Sequence, residues 1–138
     1  HPNMSARCDE RLMRIALENL FENARKFTRD EANPLIEFGC EAQNTPAWFY
    51  VKDNGVGFSM AHANKLFKPF QRLHMPSAGF EGTGIGLATV RRIVERHGGS
   101  IYAEGTESQG AVFRFHLDGQ TESGRPSTSQ SNASAQRP

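Results

Sequence analysis

Residues 18–28 read Glu18-Asn19-Leu20-Phe21-Glu22-Asn23-Ala24-Arg25-Lys26-Phe27-Thr28. Apolar residues recur here at helical spacing, and at about 100° per residue Asn19, Asn23 and Lys26 fall in one narrow stripe beside the apolar face. Asn has a low helix propensity, so two of them in mid-helix need a reason. A carboxamide oxygen suits Mg²⁺ and a lysine suits phosphate. Taken alone, however, the stripe is more simply explained as a solvated polar face.

The helix that carries this stretch is predicted to run from about Asp9 to Thr28. Asp9 is a good N-cap, and Asn33-Pro34 breaks the pattern beyond the helix. Residues 1–8 are predicted to be a ragged start without regular structure. Residues 9–118 are predicted to form one domain, and the polar residues 119–138 are predicted to be disordered because they contain almost no large apolar side chain.

The remaining elements alternate between strand and helix patterns. Expected strands are Leu35–Cys40, Ala47–Val51, Ser100–Ala103 and Ala111–Leu117. Along the last of these, Val112, Arg114 and His116 alternate with Ala111, Phe113, Phe115 and Leu117. A second long helix is expected over Ile85–His97, and the weak pattern over Ser59–Gly82 is typical of a mobile lid. This order predicts an α+β fold. We expect a two-layer α/β sandwich, with a mixed, mostly antiparallel sheet and helices on one face.

The first glycine motif, Asp53-Asn54-Gly55-Val56-Gly57, follows the second expected strand. Its carboxylate can accept an N–H bond, and its glycines let the backbone approach a flat ligand. A tight turn or part of a calcium loop would also fit the motif. The calcium interpretation is weak because the regular spacing of further oxygen ligands is missing.

The second glycine motif, Glu81-Gly82-Thr83-Gly84-Ile85-Gly86-Leu87, runs directly into a helix. Free N–H groups at a helix N-terminus can cradle phosphates. The motif is not a Walker A loop, which needs GKS or GKT, and it does not follow the first strand of a parallel βαβ unit as a Rossmann loop does.

The composition of the chain argues against several classes of function. A formal net charge of +1 gives no general attraction to nucleic acid or to a membrane surface. The two cysteines, Cys8 and Cys40, form no CxxC pair, which favours reduced thiols in the cytoplasm. The five histidines are scattered singly, so none is assigned a metal-binding or catalytic role.

Together, in this order, the three motifs resemble the catalytic ATP-binding domain of sensor histidine kinases, within the GHKL group of Bergerat-fold proteins. Residues 19–28 look like the N box, 53–57 the G1 box, 66–72 the F box and 82–87 the G2 box. The resemblance covers about residues 6–118, and residues 70–74 look most like the phytochrome-type, PAS-linked branch. The resemblance also leads us to expect that the family's first strand, ahead of Cys8, is missing or truncated in this sequence.

The resemblance implies ATP and Mg²⁺ as cofactors and a role for each motif residue. Asp53 would accept the adenine amino group, Asn23 would coordinate Mg²⁺ with Asn19 in support, and Lys26 would neutralise phosphate charge. Gly55 and Gly57 would line the base pocket, and Phe27 would flank the nucleotide. The phosphates would be contacted by Gly82, Thr83, Gly84, Gly86 and Leu87. Phe67 and Phe70 would anchor the lid, and Arg72 would reach the γ-phosphate. Relatives often carry Thr where Val112 stands, so the resemblance also implies an altered water network around adenine.

One position separates a kinase from an ATPase. ATPases of the group carry a water-activating Glu where this chain has Asn19, while Glu18 and Glu22 are predicted to point about 100° or more away from the stripe. The expected function is therefore transfer of the γ-phosphoryl group to a histidine on a separate dimerisation domain, with a response-regulator receiver domain as a further partner. None of the five histidines here is followed by Asp or Glu, as family acceptors are. The alternatives are a GHKL-type ATPase and an interaction module that binds no nucleotide.

Overall fold

The computed structural model describes residues 1–69 and 85–118 of the chain. In chain order these form α1 (Glu10–Phe27), β1 (Ile36–Glu41), β2 (Trp48–Asp53), a 3₁₀-helix (Met60–Lys65), α2 (Gly86–Arg96), β3 (Ser100–Thr106) and β4 (Gly110–His116). The predicted order of elements is confirmed. Residues 1–9 contain no helix or strand, whereas the predicted disordered tail at 119–138 and residues 70–82 of the expected lid lie outside the described residues.

Helix α1 begins at the predicted cap. The Asp9 backbone is extended, and its side-chain Oδ1 accepts the N–H of Leu12 at 3.0 Å. At the other end the Thr28 hydroxyl donates to the carbonyl oxygen of Ala24 at 2.9 Å, which closes the last turn. The face between these caps is apolar and buried; it carries Met13, Ala16, Leu20 and Ala24.

The four strands form one sheet in the order β1-β2-β4-β3, and every neighbouring pair is antiparallel. The mixed character expected for the sheet is therefore not seen among the described strands. Strand β3 extends past the predicted end at Ala103, because it pairs with β4 residue by residue as far as Thr106 and Gly110.

Both α-helices pack on the same face of the sheet, which confirms the two-layer α+β architecture. The predicted alternation in β4 is also confirmed: Ala111, Phe113 and Phe115 are buried toward the helices. Val112, Arg114 and His116 lie on the opposite face of the sheet and are less buried.

Helix α2 ends at Arg96, where Gly98 takes a positive φ of 74° and turns the chain into β3. His97, between them, is 1% exposed. Its Nε2 accepts the N–H of Asp9 at 2.9 Å, and its Nδ1 lies 2.7 Å from the carbonyl oxygen of Ile93. The expected helix-end position is confirmed, and the ring also joins the end of α2 to the start of α1.

Candidate functional site

The described parts of the two glycine motifs each approach α1, the helix that carries the polar stripe. The loop Asp53–Gly57 leaves β2 and lies against the last turn of α1, where the Val56 N–H donates to the carbonyl oxygen of Phe27 at 3.1 Å. A Cβ at Gly55 would overlap that same carbonyl group. The glycine at this position is therefore required for the close approach of the loop to the helix.

The far side of the loop is held by the β3–β4 turn. The Val56 carbonyl accepts the N–H of Ser108 at 2.7 Å. Gly57 has a positive φ of 63°, and a Cβ there would overlap the carbonyl of Thr106. Main-chain contacts on both sides thus fix the path of the loop.

Asp53 is the most buried charged residue of the site, with 3% of its surface exposed. Its Oδ1 accepts the N–H of Gly55 at 2.9 Å, and it stands opposite Ala111 in the β2–β4 register. Burial raises the pKa of this carboxyl, although hydrogen bonds from the Gly55 and Ala111 backbones act in the opposite direction. No described cation forms an ion pair with Asp53. A buried carboxylate held only by backbone N–H groups is available to a hydrogen-bond donor of a ligand.

The polar stripe of α1 lies at the edge of the core. Asn19, Asn23 and Lys26 are all half-buried. Asn19 donates through Nδ2 to the carbonyl oxygen of Ile15 at 2.9 Å. The Asn23 amide nitrogen is buried and has no hydrogen-bond partner among residues 1–69 and 85–118. A buried amide without a partner is costly in a purely structural helix, so Asn23 fits a ligand site.

The start of α2 approaches the same stripe. A Cβ on Gly86 would lie 2.9 Å from Asn19 Oδ1. Among the described residues no side chain caps this helix end, and Leu87 packs against the core behind it. The N–H groups of an uncapped first turn carry partial positive charge, which suits an anion.

The two glutamates that flank Asn19 in sequence face solvent. Glu18 is exposed, and Glu22 forms an exposed pair with Arg25 through Oε1 at 2.6 Å and Oε2 at 3.0 Å. Hydrogen bonding by Arg25 lowers the pKa of Glu22. Both carboxylates are therefore exposed to solvent. Glu22 nevertheless lies within one helical turn of Asn19 and Lys26, and the charge of Lys26 also lowers its pKa, so the prediction that Glu22 points about 100° or more away from the stripe is wrong.

Five predicted site residues lie outside the described part of the chain: Phe70, Arg72, Gly82, Thr83 and Gly84. The described start of the F box does reach the core. Leu66 is buried, and the Phe67 ring meets Phe113 edge-to-face at a centroid distance of 6.2 Å. Phe67 is thus anchored on the central sheet, and Phe27 ends α1 beside the loop.

The structure places Val112, which was expected to affect a water network around adenine, on the face of the sheet opposite the Asp53 carboxyl. Strand pairing places Val112 between Lys52 and Glu104 on the outer face of the sheet, whereas Asp53 pairs with Ala111 on the face toward the helices. Successive side chains of a strand point to opposite faces, so Val112 is not beside the Asp53 carboxyl. Ala111 occupies that position.

Sequence reasoning missed Asn54, the second residue of the Asp53–Gly57 motif. Its side chain makes two hydrogen bonds to the segment before β1, at Leu35 and Asn33. An Asn directly after a strand is a weak turn signal and does not indicate partners about twenty residues away.

Residues 8–121 match the family described as histidine kinase-, DNA gyrase B- and HSP90-like ATPase. The chain is 42% identical over 111 residues to cyanobacterial phytochrome B from Nostoc sp. strain PCC 7120, covering 80% of this chain and 15% of that protein. It is 39% identical over 111 residues to the methanogenesis regulatory histidine kinase FilI of Methanothrix harundinacea, covering 80% of this chain and 12% of that protein. The chain thus spans only a small part of the curated relatives it matches.

Among solved structures, the fold is similar to full-length ShkA, which was crystallised in complex with AMPPNP. The TM-score is 0.66 at 30% identity, over 79% of this chain and 22% of that chain. No described helix has the length and apolar composition needed to cross a bilayer. Within residues 1–69 and 85–118, no group of three or more His, Cys, Asp or Glu side chains is placed to hold a metal ion.

Proposed function

We propose that this chain, which belongs to the histidine kinase-, DNA gyrase B- and HSP90-like ATPase family, binds Mg-ATP. It donates the γ-phosphoryl group to a histidine on a separate dimerisation domain. Its similarity to FilI and to ShkA, the latter solved with an ATP analogue, supports the catalytic domain of a sensor histidine kinase. A response-regulator receiver domain is the proposed next partner. We also propose that the chain functions in the cytoplasm.

The single observation that carries the proposal is the buried carboxylate of Asp53. It is 3% exposed, and among the described residues only backbone N–H groups satisfy it. A carboxylate accepts hydrogen bonds and cannot donate them, so it suits the exocyclic amino group of adenine. The glycines on either side of Val56 let the loop pack closely against the carbonyls of Phe27 and Thr106, and this packing holds the Asp53 carboxylate in place for a base.

The phosphates are proposed to lie toward α1 and the start of α2. Lys26 supplies a positive charge on the polar stripe, and Gly86 and Leu87 supply the first-turn N–H groups of α2. By resemblance, Gly82, Thr83 and Gly84 would add further backbone contacts and Arg72 would reach the γ-phosphate. Binding and charge neutralisation of this kind are the main requirements of phosphoryl transfer.

Asn23 is the proposed protein ligand of Mg²⁺. Its buried amide has an unpartnered nitrogen, and rotation of the amide exchanges nitrogen and oxygen, so the same position offers an oxygen ligand. Mg²⁺ is commonly held by one or two protein oxygens together with substrate phosphates, which agrees with the absence of a carboxylate cluster among the described residues. The ion would neutralise charge on the phosphate oxygens.

The site favours transfer to a protein acceptor over hydrolysis. A general base must reach the attacking water, yet Glu18 and Glu22 are exposed to solvent and Asn19 is an amide. Asn19 instead lies beside Gly86, where it is proposed to support the metal-binding end of the site. The γ-phosphoryl group would therefore persist until an acceptor histidine docks.

Isothermal titration of the chain with Mg-ATP tests this function. We expect saturable binding by the wild type and by Glu95→Gln, which removes an exposed carboxylate paired with Arg91 on α2. Asp53→Asn should weaken binding by about 2–3 kcal/mol, the magnitude of a hydrogen bond to a charged group. Equal affinity of Asp53→Asn and wild type would remove the adenine role. No binding by the wild type at millimolar nucleotide would favour an interaction module.

A further inference from the structure

Asn54 binds the segment that joins α1 to β1 through three hydrogen bonds. Its side-chain Oδ1 accepts the N–H of Leu35 at 2.8 Å, and its Nδ2 donates to the carbonyl oxygen of Asn33 at 2.9 Å. Its main-chain N–H donates to the carbonyl oxygen of Leu35 at 3.3 Å. Both polar atoms of the side chain are thus committed to residues that lie outside the glycine loop.

These contacts modify the end of the β1–β2 ladder. Ile36 pairs with Asp53, so Leu35 and Asn54 are the next opposing residues. In a regular antiparallel ladder, a hydrogen-bonded pair exchanges two main-chain N–H···O bonds. Here the Asn54 N–H makes one of them, but the Leu35 N–H goes to the Asn54 side chain. The side-chain amide therefore takes the place of the main-chain carbonyl, and the backbone can leave the sheet at Asn54.

Because the chain leaves the sheet at Asn54, the residues that follow can make the next contacts of the loop. One residue later, Gly55 donates to the Asp53 carboxylate, and two residues later Val56 donates to the carbonyl of Phe27. The segment that holds Asn54 is not fixed by burial, because Leu35 is 63% exposed and Asn33 and Pro34 are exposed as well. Its attachment to the loop is therefore made by hydrogen bonds.

We propose that Asn54 is a positioning residue for nucleotide recognition: its side chain replaces a strand carbonyl and thereby aims the Asp53–Gly57 loop. Asn54 does not contact the nucleotide in this account, since its amide faces residues 33 and 35. It acts through Asp53, Gly55 and Val56. The inference rests on the proposed ATP-binding function of the same loop.

The test uses the full chain with Asn54→Ala, which removes both side-chain bonds, and Asn54→Asp, which keeps the acceptor for Leu35 and loses the donor to Asn33. Asn44→Ala is the matched control, because it removes one side-chain bond, to Glu41 at 3.2 Å, in the distant β1–β2 hairpin. Mg-ATP affinity and amide hydrogen exchange at Val56 are measured for each variant at a pH and temperature where it is folded.

We expect Asn54→Ala to bind Mg-ATP about ten-fold more weakly and to lose protection at the Val56 amide, with Asn54→Asp between it and the wild type. Asn44→Ala should match the wild type in both readouts. Affinity within two-fold of wild type together with unchanged Val56 exchange would overturn the inference. If Asn54→Ala does not fold, the same comparison with Asn54→Asp decides. If the wild type fails to bind Mg-ATP, the proposed function fails and Val56 exchange alone still tests the positioning role.

Discussion

The N–H of Val56 donates to the carbonyl oxygen of Phe27 at 3.1 Å, so the glycine loop after β2 is hydrogen-bonded to the last turn of α1. This contact joins the motif that carries the buried carboxylate to the helix that carries Asn23 and Lys26. The same residue accepts the N–H of Ser108 from the β3–β4 turn. A loop fixed on both sides can present Asp53 to a ligand with little reorganisation.

Gly55→Ala should destabilise the fold, because the added Cβ would overlap the carbonyl of Phe27 and the backbone cannot yield as a side chain can. We expect a loss of about 1–3 kcal/mol in the free energy of unfolding, measured by urea denaturation. Gly86→Ala is the contrasting variant, since among the described residues its Cβ would meet the flexible side chain of Asn19, whose Oδ1 would lie 2.9 Å away. Its stability should change by less than about 0.5 kcal/mol. Equal losses in the two variants would contradict the close approach at Gly55.

Asp53→Asn should alter how stability depends on pH. Burial raises the pKa of the Asp53 carboxyl above its value in the unfolded chain. A group of this kind favours folding below its unfolded pKa, near 3.9 for Asp, and this contribution is lost as pH rises through the folded pKa. The wild type should therefore gain stability relative to Asp53→Asn as pH falls from 7 toward 4.

Urea denaturation of both proteins across this pH range gives the difference directly. Glu95→Gln serves as the control for general charge effects, since Glu95 is exposed in its pair with Arg91. A difference that is constant with pH, or that moves against the wild type as pH falls, would show that burial does not disfavour the charged carboxylate.

His97→Ala should be strongly destabilising. The ring is 1% exposed, and the variant removes the acceptor for the Asp9 N–H and the contact with the Ile93 carbonyl. Two lost hydrogen bonds and a cavity together should lower the free energy of unfolding by about 2–4 kcal/mol. His62→Ala, at an exposed position of the 3₁₀-helix, should change it by less than about 0.5 kcal/mol. A loss below about 1 kcal/mol for His97→Ala would argue against the bridge between the helices.

Glu18→Gln and Glu22→Gln should leave phosphate release from Mg-ATP within about two-fold of the wild-type rate. Both carboxylates are exposed to solvent and Glu22 is paired with Arg25, so we expect neither of them to activate a water beside Asn19. A coupled phosphate assay measures this. A drop of ten-fold or more in either variant would identify a general base and revive the ATPase alternative.

Local patterns in the sequence predicted much of the fold. The Asp9 cap, the end of α2 before Gly98 and the alternation along β4 each depend on residues within one element. The order of elements then indicated helices on one face of a mixed, mostly antiparallel sheet, and the described strands are all antiparallel. Of the motifs assigned by resemblance, the Asp53–Gly57 loop contacts the last turn of α1, and Gly86 lies beside Asn19.

Contacts between residues that are distant in the sequence could not be predicted from local patterns. Alternation separated Val112 from Ala111, but it could not indicate which of them shares a face with Asp53. The burial of His97 depends on Asp9, 88 positions earlier, and the role of Asn54 depends on Asn33 and Leu35. Tertiary packing determines all three of these arrangements, and local sequence propensities carry no information about it.

Recognition of the adenine amino group by Asp53 is tested most directly by comparing the affinities of the chain for Mg-ATP and Mg-ITP. In ITP a carbonyl oxygen replaces that amino group. Wild type should prefer Mg-ATP by at least about ten-fold, because the buried Asp53 carboxylate accepts from an amino group and repels a carbonyl oxygen. Asp53→Asn, which can donate to that oxygen, should lose or reverse the preference. Equal affinities of the wild type for the two nucleotides, or an unchanged preference in Asp53→Asn, would contradict the account.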